Sequence, residues 1–337
     1  MYLGGIIMTK RKFSDGDIIK ENLWLVTGSI RRTKQGEPYW MGTFKVDADT
    51  DLTAKLWNKN MVEKYKSLLV PGKPLCVEAK IESFNNEPQL TIISVKEANV
   101  EQFDTSILIK KSKVEKQELI KEFEKIASQV EDIDYKRLLE TFRNDPLFEE
   151  YAKAPAAKMI HHPWLYGLLE HSLTLARAVI ALSPIYPFLN KDLLIAGAFL
   201  HDVGKTMEIS QDVGFEYTVD GQLMGHIYLG AKYVETLIDK IENFNNEKKK
   251  QIVHLILSHQ GYIEDGFGSP VNPQTVEATF FHYLDNMDAK TRHIATAIEE
   301  SENKKGFIRT KQPLNLRIYL GDEEDEYSTP EKKNLFE

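Results

Sequence analysis

Cysteine is nearly absent from this 337-residue chain, and Cys76 stands alone. One cysteine excludes an internal disulfide framework and any cysteine-built zinc site, and it suits a reducing compartment. Long apolar runs are missing as well, since none approaches the roughly 20 residues of a membrane span. The opening MYLGGIIM lacks the basic start and the small-residue cleavage site of a secretory signal. These absences predict a cytoplasmic protein with no membrane partner. There is no internal repeat and no glycine-rich phosphate loop of the GxGxxG or GKS/T type. An excess of basic charge is also lacking: the net charge is −8, which argues against a nucleic-acid coat protein. The first 100 residues nevertheless carry 15 Lys/Arg against 12 Asp/Glu, a balance of +3 that leaves −11 for the remainder. A polyanion-binding module joined to a cation-binding one fits this asymmetry, although three charges are within ordinary variation.

What is present falls into two patterns, and the length suits two domains. From Asn22 to Val95 apolar residues alternate with period two in segments parted by turn signals. NLWLVTGSIRR, PYWMGTFKV and LTAKLW read as strands, NKNMVEKYKSLL as a short amphipathic helix, and PLCVEAKIESF and PQLTIISV as two more strands. Three strands, a helix and two strands is the order of an OB-fold barrel, with another small β-barrel as the alternative. Trp40, Phe44, Leu52, Ala54 and Leu56 belong inside it. Tyr39, Lys45, Lys55 and Trp57 fall on the other face, where bases could stack and phosphates meet cations. Arg31 and Arg32 beside the first turn, and Phe84 in the last one, could line the same groove. The plainer reading makes all seven exposed or interface residues.

From Val114 the period becomes helical, with Ile120, Phe123, Ala127 and Val130 on one face, and helical signals run to about residue 302. RNDP, SPIYPFLN and DGFGSPVNP interrupt them, and VGFEYTVDGQ suggests a hairpin. The expected fold class is therefore multidomain α+β, a five-stranded OB-fold barrel followed by an all-α domain. The expected divisions are an N-terminal extension (1–16), the barrel (17–97), a linker (98–113), the helical domain (114–302) and a charged tail (303–337).

All nine histidines lie after residue 160. His171, His201, His226 and His259 sit in apolar helical surroundings where a lone polar group is costly, and Asp285 adds a carboxylate on a late helix. His201 and Asp202 are adjacent, so one helix turn can offer both to a cation, and the carboxylate can bridge two. Lys205 shares their face and suits a phosphate oxygen. Gly204 either opens the backbone to a ligand or ends the helix. Each residue also has a plain reading: hydrogen-bonded core histidines, a capping Asp202, a last-turn Lys205. Five such elements on separate helices are harder to explain by independent packing than by a metal site. His282 shares a face with Asp285 and is the best candidate for a supporting contact. His161 and His162 could touch substrate or form a turn. His254 points away from His259, and His293 is expected on the surface.

HDVGK, with H, H, H and D around it, resembles the signature of the HD-domain superfamily of metal-dependent phosphohydrolases. PAAKMIHHPWLYGLLEHSL, LLIAGAFLHDVGKTMEI, YTVDGQLMGHIYLG, ILSHQGYIEDGFGSPVNPQTVEA and FHYLDNMDAK resemble, in this order, the YhaM-type 3′→5′ exoribonucleases, over roughly residues 17 to 300. That resemblance implies an OB-fold ahead of a di-metal HD domain that shortens single-stranded RNA, and often single-stranded DNA, from the 3′ end. Carried over, His171, His201, Asp202 and Asp285 would hold one ion, and His226 and His259 would complete the second with Asp202 bridging. Lys205 would stabilise the phosphate. Mixed nitrogen and oxygen ligation suits manganese first, or iron, over magnesium, and zinc is an alternative. The family usually has a second histidine where this chain has Gln260, and glycine where it has Tyr166. Two alternatives remain: an HD phosphohydrolase of small nucleotides or cyclic dinucleotides, and a non-catalytic single-strand binding factor. The glycines of GHIYLG would allow contacts in a homo-oligomer.

Overall fold

The computed structural model describes residues 13–84, 87–98, 103, 105–157, 164–210, 215–265, 268–301, 303–310 and 314–322. His161 and His162 lie outside them. The chain divides into two compact units that part between Lys110 and Lys111.

In the first unit, strands β1 (Ile18–Arg32), β2 (Pro38–Lys45), β3 (Asp51–Leu56), β4 (Lys73–Phe84) and β5 (Glu87–Glu97) close a barrel in the order β1-β2-β3-β5-β4. This is the OB-fold arrangement, with β3 and β5 parallel and helix α1 (Lys59–Tyr65) between β3 and β4. Closure depends on the 15 residues of β1. Its first half pairs with β4 and its second with β2, and the register shifts at Leu25/Thr27. Such an irregularity bends a strand and lets one element serve both edges. The period-two reading holds here: Trp40, Phe44, Leu52, Ala54 and Leu56 are all buried. The Trp40 indole fills the space over Gly28 and Gly42, where a Cβ on Gly42 would come within 2.4 Å of the ring.

The second unit is built on helices α2 (Lys116–Ala127), α3 (Ile133–Asn144), α4 (Leu147–Lys153), α5 (Gly167–Leu182), α6 (Lys191–Leu200), α7 (Lys205–Glu208), α8 (Val219–Ile238), α9 (Asn246–Ser258) and α10 (Val276–Glu300). Side chains of Asn190, Thr218, Asn245 and Thr275 accept from first-turn N–H groups and start α6, α8, α9 and α10. The core gathers Leu119, Phe123, Phe142, Phe148, Phe199 and Phe281 with aliphatic residues from most of these helices. Of VGFEYTVDGQ, Val213 and Gly214 lie outside the described residues; Tyr217 forms an antiparallel bridge with Ile209, the Ser210 N–H donates to the Glu216 carbonyl, and α8 begins at Val219. The Thr218 cap starts this helix inside the stretch expected as a hairpin.

The segment expected as a charged tail contains an antiparallel pair, β6 (Phe307–Arg309) with β7 (Arg317–Tyr319). Ile308 and Leu320 are buried there. Strands of three residues fall below the window in which alternation is detectable. Among the described residues no helix is long and apolar enough to cross a membrane.

Candidate active site

Five helices bring the histidine and aspartate side chains together. His171 lies on α5, His201 caps the C-terminus of α6, Asp202 follows it, His259 caps α9, and Asp285 projects from α10. His226 is placed by a break in α8. Gly225 adopts φ 71°, ψ 155°, a conformation open to glycine, and this interrupts the helix one residue before His226. The His226 N–H therefore has a new acceptor, the Glu208 carboxylate at 3.1 Å.

The donor atoms form two groups, His171/His201/Asp285 and Asp202/His226/His259, and within each group they lie within 4.8 Å of one another. Asp202 stands between the groups. Its Oδ2 is 3.2 Å from His201 Nε2, and its Oδ1 is 3.5 Å from His226 Nε2 and 3.4 Å from His259 Nε2. Asp285 Oδ1 is 3.1 Å from His171 Nε2 and 3.9 Å from His201 Nε2.

In all four imidazoles Nδ1 faces an acceptor. The partners are the carboxylates of Asp288 (2.9 Å, to His171) and Glu208 (3.1 Å, to His226), and the carbonyls of Ala198 (3.1 Å, to His201) and Ile256 (2.7 Å, to His259). A carbonyl can only accept, so His201 and His259 carry their proton on Nδ1. The same tautomer is favoured opposite the two carboxylates, and the Nε2 lone pairs are left facing the centre. His201 Nε2, Asp202 Oδ1 and Asp285 Oδ1 are buried without a hydrogen bond. Buried atoms left this way cost about 1–3 kcal/mol each, a cost that a shared cation removes. The donor set fits divalent metal ions.

The electrostatics agree. Burial would raise Asp202, but the Lys205 ammonium outweighs it and holds the carboxyl well below its usual range. Burial would likewise raise Asp285, and His171 holds it down. Burial would lower His171, yet the Asp285 and Asp288 carboxylates on either side of its ring push it up to about 9. At neutral pH a proton then sits where a cation would. His201, where burial dominates, is shifted down and stays neutral.

Lys205 Nζ is 2.6 Å from Asp202 Oδ2 and borders a cavity of about 300 Å³, together with Asp285, Gln260, Lys290 and Leu314. Gly204 neither admits a ligand nor ends a helix. A Cβ there would come within 2.0 Å of the His226 carbonyl, so glycine lets α7 and α8 cross where His226 meets Asp202. Gly230 of GHIYLG packs against the same Gly204 backbone and serves this crossing.

His282 Nδ1 lies 3.1 Å from the His259 carbonyl. Gly261, at φ 94°, lies flat against that ring, and a Cβ there would reach within 2.2 Å of it. His254 Nε2 accepts from the Gln274 N–H, away from the centre. His293, expected on the surface, is buried at 5% exposure. It lies three helical turns beyond His282, on the same inward face of α10. Sequence reasoning missed Asp288 and Glu208. Each stands three residues after a residue it did select, Asp285 and Lys205, and that spacing was the available signal.

On the barrel, the rings of Tyr39 and Trp57 stack at 4.8 Å. Lys55 Nζ lies 5.2 Å from the Trp57 ring and 4.9 Å from that of Phe84. Arg31 pairs with Tyr39 in the ladder. Arg32 is spent on the β1–β2 turn, donating to the Gly36 carbonyl at 2.9 Å. Lys45 pairs with Asp51 at 3.2 Å, at the other end of β2 from Tyr39.

Residues 168–290 match the HD domain family. Over 269 residues, 80% of this chain and 83% of its relative, the sequence is 30% identical to the 3′-5′ exoribonuclease YhaM of Oceanobacillus iheyensis. The chain belongs to the YhaM family. Two solved structures align to about a quarter of this YhaM-family chain. They are the mitochondrial single-stranded DNA binding protein Rim1 of S. cerevisiae (98% of that chain) and the SSB domain of a Synechococcus sp. protein (99%), each 10% identical over 26% of this chain with a TM-score of 0.22. The barrel assignment rests on strand order alone.

Both departures from the family pattern have a structural counterpart. Tyr166 takes φ 71°, left-handed backbone in which glycine is at ease and tyrosine is strained. Gln260 extends its side-chain Nε2 to 3.1 Å from His226 Nε2, as an N–H donor to the lone pair aimed at the centre.

Proposed function

We propose that this chain is a metal-dependent 3′→5′ exoribonuclease that hydrolyses single-stranded RNA to nucleoside 5′-monophosphates. The observation that carries this reading is the set of four imidazoles, each with Nδ1 held, directing Nε2 toward two carboxylates that stand between them. His171, His201 and Asp285 would hold one divalent ion and His226 and His259 a second, with Asp202 shared. Manganese suits this nitrogen and oxygen set, with iron, zinc and magnesium as alternatives. Bound there, two ions supply Lewis acidity that offsets charge on the phosphoryl oxygens and acidifies water.

The remaining work falls to the chain itself. Lys205, oriented by Asp202, presents an ammonium to a phosphate in the cavity. Asp288 and Glu208 fix the rotation and tautomer of His171 and His226. On the barrel, Tyr39 and Trp57 offer stacking surfaces and Lys55 and Arg31 offer cations, a combination suited to holding the strand behind the end being cut. The same groove chemistry suits single-stranded DNA as a second substrate. The single cysteine suits a cytoplasmic enzyme.

The test uses 5′-labelled single-stranded RNA with Mn²⁺, wild type against Asp202→Ala. A ladder of progressively shorter labelled products, lost in the variant, is the expected result. Tight binding without shortening by metal-loaded wild type would sink the exonuclease reading and favour a binding factor.

A further inference from the structure

The β6–β7 hairpin carries a pattern that the metal centre and the barrel leave unexplained. Between Asn303 and Gly321 the chain has five Lys/Arg and no Asp or Glu, inside a region whose net charge is −11. The register pairs Phe307 with Tyr319, Ile308 with Ile318, and Arg309 with Arg317. Alternation therefore places Phe307, Arg309, Arg317 and Tyr319 on one face and the two isoleucines on the other. Ile308 is buried, whereas Phe307 is 53% and Tyr319 43% exposed. The hairpin is anchored by its aliphatic side and turns two aromatic rings and two guanidinium groups outward.

A cross-strand aromatic pair can be explained by hairpin stability alone, because strands this short need it. Two arginines directly opposite each other cannot, since like charges in that position are destabilising. Their arrangement favours an anion lying between them. The Arg317 guanidinium is 3.9 Å from the centre of the Phe307 ring, and the Phe307 and Tyr319 rings are 4.9 Å apart. Stacked arginine and aromatic groups side by side bind unpaired bases and the phosphates between them. The connection between the strands leads to the reaction centre: Leu314 lines the same cavity as Asp202, Lys205 and Asp285. From Leu314 to Arg317 the chain spans about 10 Å when extended.

We propose that this hairpin face is a second binding platform for single-stranded nucleic acid, on the catalytic unit itself, next to the cavity that takes the strand's end. The proposal rests on the exoribonuclease reading for the identity of the ligand.

The test measures binding of a fluorescein-labelled single-stranded RNA in EDTA, so that no strand is cut, as a function of salt. Wild type is compared with the double variant Arg309→Ala, Arg317→Ala, and with Phe307→Leu. Manganese-dependent hydrolysis of bis(p-nitrophenyl) phosphate, which needs no strand contact, reports the integrity of the centre. The double variant is expected to bind RNA about tenfold more weakly, and its slope of log affinity against log salt should fall by about 1.4, the value for two single-strand phosphate contacts. Phe307→Leu should weaken binding with the slope unchanged, and the small diester should be cleaved as by wild type. Unchanged affinity and slope in a folded double variant would overturn the proposal and assign the arginines to a partner within the chain, such as the acidic run Asp322–Glu326. If the double variant does not fold, Arg309→Gln and Arg317→Gln singly give the same reading at half the slope change. Wild type that neither binds nor shortens RNA would instead sink the functional reading, which separates the two failures.

Discussion

Glu208 holds His226 at two points, accepting from its backbone N–H at 3.1 Å and lying 3.1 Å from its Nδ1. The first contact exists because Gly225 breaks α8, and the second fixes which nitrogen faces Asp202. Burial would raise the Glu208 carboxyl, but His226 holds it down, so it is charged and acts only as an acceptor.

That grip predicts the effect of removing it. Glu208→Ala should lower affinity for Mn²⁺ by about 10–100-fold, the usual cost of losing a partner that orients a metal-binding histidine. Calorimetric titration with Mn²⁺ reads this directly. A wild-type dissociation constant and stoichiometry would remove Glu208 from the site.

The barrel should act through stacking, independently of the metal. Trp57→Ala removes the partner of Tyr39 and the ring beside Lys55, and should weaken binding of single-stranded RNA by about 1–3 kcal/mol. Fluorescence anisotropy with the metal chelated gives the affinity, and turnover of a small diester should not change. Equal affinities would show that these rings are surface packing.

Stability should depend on pH through Asp145. Burial would raise this carboxyl, but hydrogen bonds from Lys240, the Leu147 N–H and Tyr233 outweigh it and hold it below its usual value. A carboxyl depressed on folding adds stability above its unfolded pKa of about 3.9, and that stability is lost as pH falls through the folded value. Asp145→Asn should therefore cost about 1–3 kcal/mol near pH 7, with the gap closing on acidification below pH ~4. Urea midpoints for both proteins across that range check it. A gap that persists at low pH would mean that the charge is not what matters.

Much of this was legible in the chain because it depends on local period and residue type. Alternation alone separates Trp40, Phe44, Leu52, Ala54 and Leu56 from Tyr39, Lys55 and Trp57, since successive side chains on a strand must point to opposite faces. His171, His201, Asp202, His226, His259 and Asp285 could be selected because polar, metal-capable groups on apolar helices are expensive unless they share a purpose.

Other features depend on which segments meet, and no window of sequence contains that. Arg31 and Arg32 are neighbours of one type, yet one lies beside Tyr39 and the other is spent on the Gly36 carbonyl. Asp288 looks like any polar residue of α10 until α5 places His171 Nδ1 2.9 Å away. Gly204 reads as a helix end until α8 crosses it. Sequence by itself determined the order of elements and the kinds of donor atom, because backbone sterics and desolvation act residue by residue. Tertiary structure alone decided which donors converge and which nitrogen His171 and His226 present, through Asp288 and Glu208. Those outcomes are set by the packing of helices and strands distant in the chain.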